Sequence, residues 1–469
     1  MIKRILILLA AVFTLLVSVF FAPKFAVTSG ALVDTNSVSV AAAELKLVCP
    51  GAAILSGGSA GTSVGSFARI GQAAVLGSAG GSNTSIQPLN GAGSTTTGSP
   101  AFGAASSAVI GLTSQQQGST ALNAGQLQSV ANARLNGLMG ASCQAPSTDL
   151  WLIGGDTSTG RETLLLLTNP SNAAATVSVT AVGLGGATAS SSGVSVAAAS
   201  SQIVPISSIL PETKSIAVHV VSHGSAVAAW LQQRTLRGLS YAGADFVSPS
   251  AGLSTTLQVP GIMIRGSKDG NALAAANPDY FDLIPTLRVY NPSSTTVNFV
   301  AQIFGADSKT FGTVIRDSVP GNSVSDFTIT GLQDGDYSAF VKADSAISAS
   351  VRLPRTNKSH NPATDFAWLP AAQNLSGANA ITVPATGVSK LSITNSATSA
   401  VSVSVNGSTI SIAAQSTVTV AVPAAKTILI DSGSAAIGAT LVVDVSGSVA
   451  ALPVVNYENL GNRVDVLVR

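Results

Sequence analysis

Apolar and polar residues alternate with a period of two in many short segments of this chain. In TVSVTAV, residues 176–182, Val and Ala fall on one side of an extended backbone and Thr and Ser on the other. Such a segment is typical of a β-strand with one face in a core and one in water. No long stretch after Ala22 carries an apolar stripe at helical spacing. The pattern therefore predicts an all-β body.

Three apolar runs are interrupted by an asparagine in the same way. Asn169 and Asn291 are each followed by Pro, in LLLLTNPSNAAATVSV and LRVYNPSSTTVNFV, and Asn395 is followed by Ser in LSITNSATSAVSVSV. An Asn side chain can bond to the backbone just ahead of it, and Pro removes a ladder donor, so we expect a hairpin turn at each place. After each turn come one more strand and a second hairpin with a polar tip.

The spacing of these turns predicts the domains. Asn169, Asn291 and Asn395 are 122 and 104 residues apart, which is close to the roughly 100 residues of an immunoglobulin-like sandwich. We therefore expect tandem immunoglobulin-like β-sandwiches at residues 149–250, 251–375 and 376–469. A Gly/Ser-rich β region at 45–148 precedes them and is expected to pack on the first sandwich.

The N-terminus predicts a membrane anchor. Lys3 and Arg4 precede 18 uncharged residues, 5–22, which span about 27 Å as a helix, close to the roughly 30 Å of a bilayer core. We expect a cytoplasmic tip and a transmembrane signal anchor at 1–26, with the lipid bilayer as partner through residues 5–22. Residues 27–44 are then a tether, and the body is extracytoplasmic.

Export agrees with the cysteines and the composition. A signal peptide cut between Ala26 and Ala43 is the alternative to an anchor, and it makes the protein secreted. The two cysteines, Cys49 and Cys143, are expected to form one disulfide that closes the Gly/Ser-rich region. Only 9% of the 469 residues are charged, where about 25% is usual. The net charge of +2 leaves no basic stripe for phosphates, which excludes nucleic acid as a partner.

Two segments carry a family resemblance. LVCPG, and then CQAPSTDLWLIGGDTSTGRETLLLLTNPSNAAATVSV over residues 143–179, contain Cys-Pro-Gly, a second Cys before Trp-x-x-Gly-Gly, and Leu-x-Asn-Pro. In these features the chain resembles a family of exported, membrane-anchored actinobacterial proteins described only as a domain of unknown function. The resemblance implies export and a β-rich body, and it brings no catalytic residues with it.

Nucleophile and metal motifs are weak. GTSVG matches the G-x-S-x-G elbow around Ser63, but it lacks the strand before and the helix after that the elbow needs. His219 and His223 lie four residues apart on a predicted strand, about 13 Å along it, and His360 is far away in the sequence. A zinc site would need the strand to turn back and a third ligand. We therefore expect polar strand and turn residues, with no metal and no cofactor.

Acidic residues give two further candidates. Asp334 and Asp336 lie together in LQDGDYSAF, and Asp269, Asp279 and Asp282 lie in GSKDGNALAAANPDYFD. Neither segment has the ligand spacing of a calcium loop, and Asp334-Gly335 is typical of a turn. Paired carboxylates of a glycan hydrolase remain the chemical alternative for Asp334 and Asp336.

Aromatic residues are few, at 5% of the chain. Trp151 and Trp230 lie in apolar strand-like runs and are expected in the core of the first sandwich. Trp368, in DFAWLP, is expected to be exposed and is the candidate ligand contact. The sequence thus predicts a non-enzymatic envelope protein that is structural or binds a ligand or partner protein. The alternative is a glycan-binding accessory or a glycan-acting enzyme of the cell wall.

Overall fold

The computed structural model describes residues 35–39, 46–57, 66–79, 84–89, 96–98, 101–104, 106–112, 122–132, 134–238, 240–306, 312–357, 363–455 and 463–467. The expected anchor at residues 5–22 lies outside these ranges. Within them, no helix is both long and apolar enough to cross a membrane. Residues 44–459 form one compact unit.

The described elements are almost all strands. Up to residue 142 they are β1 (Thr35–Ser39), β2 (Lys46–Cys49), β3 (Ile54–Ser56), β4 (Phe67–Arg69), β5 (Ala73–Ala79), β6 (Thr84–Pro88), β7 (Thr96–Gly98), β8 (Ala101–Ala104), β9 (Ala108–Leu112), β10 (Leu122–Asn132) and β11 (Leu135–Ser142). The next group is β12 (Asp149–Ile153), β13 (Arg161–Asn169), β14 (Ala175–Val182), β15 (Thr188–Val196), β16 (Ser200–Pro205), β17 (Ala217–His223), β18 (Ala228–Arg237) and β19 (Ser240–Val247).

The second half of the chain continues the series. Its first strands are β20 (Ser254–Ile264), β21 (Thr286–Asn291), β22 (Val297–Gly305), β23 (Thr313–Val319), β24 (Ser323–Thr328), β25 (Gly335–Asn357) and β26 (Ala363–Pro370). The last are β27 (Ala378–Thr382), β28 (Val388–Asn395), β29 (Val401–Val405), β30 (Ser408–Ile412), β31 (Ser416–Val422), β32 (Thr427–Asp431), β33 (Ile437–Val445), β34 (Ser448–Pro453) and β35 (Arg463–Leu467). Helix α1 (Ser267–Ala276) and the 3-10 helices Ile206–Ser208 and Pro278–Leu283 complete the described elements.

The strands form four groups with one topology, which we call units one to four: residues 46–142, 149–247, 254–370 and 378–453. In unit two the sheets run β12-β17-β14-β15 and β16-β13-β18-β19. Counting eight strands along the unit, the two orders are 1-6-3-4 and 5-2-7-8. Unit four repeats these orders with β27-β32-β29-β30 and β31-β28-β33-β34.

Units one and three show the same orders with local changes. Unit one has sheets β2-β9-β6-β7 and β8-β5-β10-β11, and the small β3–β4 hairpin is inserted between its first two strands. In unit three the 23-residue β25 serves as both sixth and seventh strand. Its first half pairs with β20 and β22, and its second half pairs with β21 and β26. The Gly/Ser-rich region is therefore a unit of the same topology as those that follow it.

The three asparagines connect the two sheets of a unit. Asn169 ends β13 in one sheet, and β14 begins the other sheet. The expectation of hairpins at these turns is wrong, because the two strands that flank each asparagine do not pair with each other. At Asn169 and Asn395 they lie in different sheets, and at Asn291 they pair with different halves of β25. The same holds for the second expected hairpin, since β17 and β18 lie in different sheets and β25 itself runs from one sheet into the other.

Each asparagine is fully buried and makes the same four hydrogen bonds to backbone groups. The Nδ2 group of Asn169 donates to the carbonyls of Ala173, Val196 and Ala197 at 2.8, 3.1 and 3.2 Å. Its Oδ1 accepts from the backbone N–H of Ser171 at 3.0 Å. Because Val196 and Ala197 belong to the next crossing between the sheets, one side chain holds two crossings together.

The other two asparagines reproduce this arrangement. Asn291 donates to Thr295, Val319 and Pro320, and Asn395 donates to Ser399, Ile412 and Ala413. Buried carbonyls need hydrogen-bond donors. In each of these turns the Asn amide supplies donors to carbonyls of two separate crossings, so it stabilises tertiary structure as well as its own turn.

The eighth strands of the four units meet around a common centre. β11 contacts β19, β19 contacts β26, β26 contacts β34, and β34 contacts β11, so the four units close on one another. Close approach requires glycine here: a Cβ on Gly137 would lie 2.7 Å from the backbone nitrogen of Ala244, and one on Gly243 would lie 2.9 Å from Asp365 Cα. Both glycines also have positive φ, 153° and 104°.

Two buried carboxylates join these strands. Asp245 on β19 accepts from the N–H groups of Gly140 and Trp368, each at 2.9 Å. Asp365 on β26 accepts from Leu138 at 3.0 Å and Val449 at 3.2 Å. Burial raises the pKa of Asp365 to about 7, and burial raises the pKa of Asp245 well above its usual value, with the Asp365 charge adding to the rise.

Hydrophobic cores extend across the unit boundaries. The core of unit two includes Phe366 and Trp368 of unit three, and that of unit four includes Leu127 and Leu138 of unit one. A third cluster packs Trp230 of unit two against Met139 of unit one. Sequence reasoning gave each sandwich its own core, and the structure differs because the outer faces of the sheets are also apolar. That residues 149–250, 251–375 and 376–469 are separate domains stays a prediction.

The disulfide between Cys49 and Cys143 is present, as predicted. It joins the first strand of unit one to the residue after its eighth strand. Strands β1 and β35 form a small antiparallel sheet that belongs to a second compact unit, residues 1–43 and 460–469.

Candidate functional site

The candidate site is a cavity of about 660 Å³ lined by residues of units two and three. Unit three supplies one wall with α1 and the 3-10 helix Pro278–Leu283, which are inserted between its first two strands. We call it the charged cavity. Its lining residues are Asp156, Arg161, Leu184, Lys214, Ser215, Gln233, Asn271, Ala274, Ala275, Phe281, Asp282, Ile284, Thr286, Arg288, Asp326, Thr328, Arg352 and Trp368.

Charge is concentrated in this cavity. Seven of its 18 lining residues are charged, whereas the whole chain has 44 charged residues among 469. The seven are Asp156, Arg161, Lys214, Asp282, Arg288, Asp326 and Arg352. Asp156, Asp282, Arg288 and Arg352 are buried, and such a concentration of buried charge in a charge-poor chain makes this cavity the candidate site.

Asp282 is the centre of the largest ionic cluster. Arg161 and Arg352 donate to its Oδ2 at 3.0 and 3.2 Å, and Arg237 donates to its Oδ1. Burial would raise the pKa of Asp282, but the charges of Arg352, Arg237 and Arg161 outweigh it and lower that pKa below its usual value. Arg161 and Arg237 belong to unit two, so this carboxylate also ties the two units together.

The arginines around Asp282 lie close enough to repel one another. Burial lowers the pKa of Arg352 to about 10; Asp282 acts against this, and the neighbouring Arg237, Arg161 and Arg288 lower it further. One carboxylate thus faces three guanidinium groups. The cluster carries more positive than negative charge.

Arg288 and Asp326 form a second pair in the cavity. The guanidinium donates to Asp326 at 2.8 and 2.9 Å and to the carbonyls of Gly155 and Ile216 of unit two at 2.6 and 3.2 Å. Ser215 donates to Asp326 at 2.6 Å. These donors hold both oxygens of Asp326, so its charge stabilises Arg288.

Trp368 forms part of the cavity wall, and the expectation that it is exposed is wrong. The side chain is 2% exposed because it lies in β26, at the centre where the units meet. Its Nε1 donates to Gln233 Oε1 at 2.8 Å, and the Arg288 guanidinium lies 4.8 Å from the ring. As a ligand contact, Trp368 stays a prediction.

Two exposed apolar side chains lie at the opening, with two cations beside one of them. Phe281 is 46% exposed and Leu184 is 52% exposed. Lys214 Nζ lies 5.0 Å and Arg161 Cζ 5.8 Å from the Phe281 ring centroid. Within the part of the chain that the structure describes, Lys214 forms no ion pair.

Two of the acidic candidates from sequence, Asp334 and Asp336, are engaged elsewhere. Asp334 accepts from the N–H groups of Gly266 and Ser267 at 2.8 and 2.9 Å, at the start of α1. Asp336 binds Arg265 and Lys390. Burial alone would raise the pKa of both carboxyl groups, but these donors outweigh it and lower the pKa of each. Neither residue lines the charged cavity. Asp334 caps the start of α1, and Asp336 forms ion pairs with Arg265 and Lys390.

The acidic segment 266–282 is helical over most of its length, in α1 and in the 3-10 helix that contains Asp282. Because three guanidinium groups occupy the carboxylate of Asp282, it has no free oxygen for a cation. The described residues contain no group of three His, Cys, Asp or Glu side chains that could hold a metal ion.

The histidine positions are also defined. His219 stacks on Trp151, with ring centroids 3.6 Å apart, and its Nε2 lies 3.1 Å from Asp149 Oδ1. His223 lies four residues on along the unbroken strand β17, so the strand does not turn back to bring the two imidazoles together. Trp151 is half-buried and Trp230 is fully buried. Ser63 and His360 lie outside the described residues.

Sequence reasoning missed Arg161, Lys214, Arg288 and Arg352. They come from different strands and loops of two units, so no local spacing connects them. One signal exists in LRVYN, where a charged residue, Arg288, stands between Leu287 and Val289 in an otherwise uncharged strand.

The fold and the cavity define an all-β protein of four repeated units with a charged ligand-sized cavity. The model of the family of unknown function DUF5719 matches residues 97–433. The chain belongs to this family, and the resemblance noted in the sequence is confirmed to that extent. No curated protein matches the chain. Among solved structures it is similar to a biofilm associated protein, BSP domain, at 9% identity over 92% of this chain and 99% of that one, with a TM-score of 0.11.

Proposed function

We propose that this is a membrane-tethered, extracytoplasmic cell-envelope protein that binds a ligand in the charged cavity and catalyses no reaction. One observation carries the binding role: the cavity collects seven charged side chains and two exposed apolar ones, Phe281 and Leu184. Its volume falls in the range of roughly 300–1,000 Å³ that small-molecule sites have.

The pairing of the acids supports binding over catalysis. A general acid needs a pKa near the working pH, and the arginines lower the pKa of Asp282 instead. Asp326 is held by Arg288 and Ser215. Asp282 therefore stays ionised and orients its arginines, and the oxygens of Asp326 are occupied by Arg288 and Ser215.

Export and tethering rest on the sequence and on the disulfide. A disulfide between Cys49 and Cys143 suits an oxidising compartment, and residues 5–22 are the proposed anchor. Fractionation of intact cells with external protease tests this part. We expect the body in the membrane fraction and cleaved from outside, whereas recovery from cytosol, protected from protease, contradicts it.

A cell-wall glycan accessory protein is the second candidate. It is favoured by one observation, the exposed ring of Phe281 at the cavity opening, since aromatic faces suit sugar stacking. The other version of this alternative is a glycan-acting enzyme in which Asp334 and Asp336 catalyse hydrolysis of the glycan. Hydrolysis of purified wall glycan that is lost in Asp336→Asn, with Asp344→Asn as control, would favour it.

The binding role itself is tested by filling the cavity. Ala275 lines the cavity on α1, whereas Ala272 is exposed on the same helix and does not line it. In a fragment screen by ligand-observed NMR, we expect fragments that bind wild type and Ala272→Trp but lose binding to Ala275→Trp. Equal binding to all three proteins, or no binding to wild type, contradicts the proposal.

A further inference from the structure

We infer that the ligand of the charged cavity is a small organic anion, an oxyanion attached to an apolar or ring-bearing body, whose charge is bound by Lys214. This inference rests on the proposed binding function and names its ligand class. It is carried by the distribution of charge and apolar surface around the cavity.

The charge balance of the cavity is the first step. Four of its charged lining residues are cations and three are acids, and Arg237 adds a fifth cation through its bond to Asp282. The three acids have internal partners: Asp282 binds three arginines, Asp326 binds Arg288, and Asp156 accepts from the N–H and the hydroxyl of Ser158. The excess is positive, so an anion gains Coulombic energy by entering and a cation loses it.

Lys214 is the group that offers free donors. The arginines direct their N–H groups to carboxylates and main-chain carbonyls, as Arg161 does to Gly160 and Leu236, both at 3.2 Å. Lys214, at the opening, forms no ion pair in the described ranges. Its ammonium has three donors on a flexible stem, which suits an oxyanion.

The positions of the cations fit one ligand. The distances of Lys214 Nζ and Arg161 Cζ to the Phe281 centroid, 5.0 and 5.8 Å, limit their separation to 10.8 Å, the sum of the two. A ligand of a few ring widths reaches from Lys214 into the field of the arginine cluster. The positive field of Arg161 then reinforces the contact with Lys214.

Apolar residues define the remainder of the ligand. Phe281 and Leu184 are exposed at the opening, and Ile284, Ala274 and Ala275 line the wall. An inorganic ion leaves most of about 660 Å³ unfilled and those surfaces wet. A ring-bearing or aliphatic body covers them, so we expect an organic anion.

The test uses the full-length protein and a matched probe pair, naphthalene-2-carboxylate and naphthalene-2-carboxamide, by isothermal titration calorimetry. We expect the carboxylate to bind at least about tenfold more tightly, the effect of one charge-assisted hydrogen bond, and to weaken as salt is added. Phenyl phosphate replaces the carboxylate if the site accepts oxyanions in general. It fails to compete if the site is specific for carboxylates, and the inference holds in both cases.

Variants assign the charge contact. We expect Lys214→Ala to weaken the carboxylate about tenfold and to leave the carboxamide unchanged. Lys268→Ala, an exposed lysine of α1 that does not line the cavity, should change neither affinity.

Equal affinity for carboxylate and carboxamide in a site that Ala275→Trp closes overturns this inference and leaves the proposed binding function standing. An unchanged carboxylate affinity in Lys214→Ala overturns it too. Absence of binding by both probes and by every screened fragment overturns the inference and the proposed function together.

Discussion

Removal of the Asn169 side chain should destabilise unit two at two places at once. In Asn169→Ala, the carbonyls of Ala173, Val196 and Ala197 lose their side-chain donor. The backbone N–H of Ser171 loses its acceptor. The Ser171 hydroxyl also loses its bond to Oδ1, but it keeps the Ala173 carbonyl as an acceptor. At about 1 kcal/mol for each of the four lost bonds to backbone groups, the expected loss is roughly 4 kcal/mol, with more if water cannot reach the buried Val196 carbonyl. That is a large part of the 5–15 kcal/mol typical of domains.

The assay is hydrogen exchange with mass spectrometry, together with thermal unfolding. We expect faster exchange in peptides that contain the first crossing, residues 169–175, and equally in peptides that contain the second, residues 196–200. The control is Asn172→Ala, an exposed asparagine in the same turn, which should stay within about 0.5 kcal/mol of wild type.

Exchange that rises only in residues 169–175 would refute the reasoning, because it would mean that Asn169 orders its own turn without holding the second crossing. A thermal midpoint equal to that of Asn172→Ala would refute the magnitude.

Three further changes have defined outcomes. Ser171 and Ser293 donate their hydroxyls to Oδ1 of Asn169 and Asn291 at 2.6 and 2.8 Å, and Ala397 takes their place in the third turn. Ala397→Ser should therefore raise the free energy of unfolding by about 0.5–1 kcal/mol in chemical denaturation; a loss would mean that the Asn395 turn has a different geometry. Asp282→Asn leaves three buried guanidinium groups without a counter-charge and should cost about 3–5 kcal/mol in the same assay, whereas its exposed neighbour Asp279→Asn should be nearly neutral. Asp365 has a pKa raised from 3.8 to about 7, so its contribution to stability is present below about pH 4 and is lost as the pH rises through 7. The thermal midpoint of Asp365→Asn should therefore fall less than that of wild type between pH 4 and 8. A midpoint that falls by the same amount in both proteins would contradict the protonation of this carboxyl.

The strands were predictable because their evidence is local. Period-two alternation in residues 176–182 needs only the side-chain direction of a strand, and β14 covers that segment. The side-chain bond of Asn169 to the backbone ahead of it was also predictable, since Asn forms such turns within a few residues.

The pairing of the strands was not predictable from the same residues. Whether Asn169 leads into the same sheet or the opposite one depends on partners such as Val196, which lies 27 residues away. For the same reason, the first unit was underestimated: its Gly- and Ser-rich strands have weak patterns, and their pairing defines the topology.

The cavity shows the limit of sequence reasoning most clearly. Nothing in DFAWLP shows that Trp368 is buried, and both Trp368 and the nearby Asp365 lie where the four eighth strands meet. Arg161, Asp282 and Arg352 meet only because units two and three pack together. Such a site depends on long-range packing, which the order of residues in one chain does not display.

The central claim is that the charged cavity binds a small organic anion at Lys214. A crystal structure of the full-length protein grown with naphthalene-2-carboxylate tests it most directly. We predict density for the probe between units two and three, with its carboxylate within hydrogen-bond distance of Lys214 Nζ and its rings against Phe281. Density for the probe at another place, or a cavity filled by the protein's own side chains, would contradict the account.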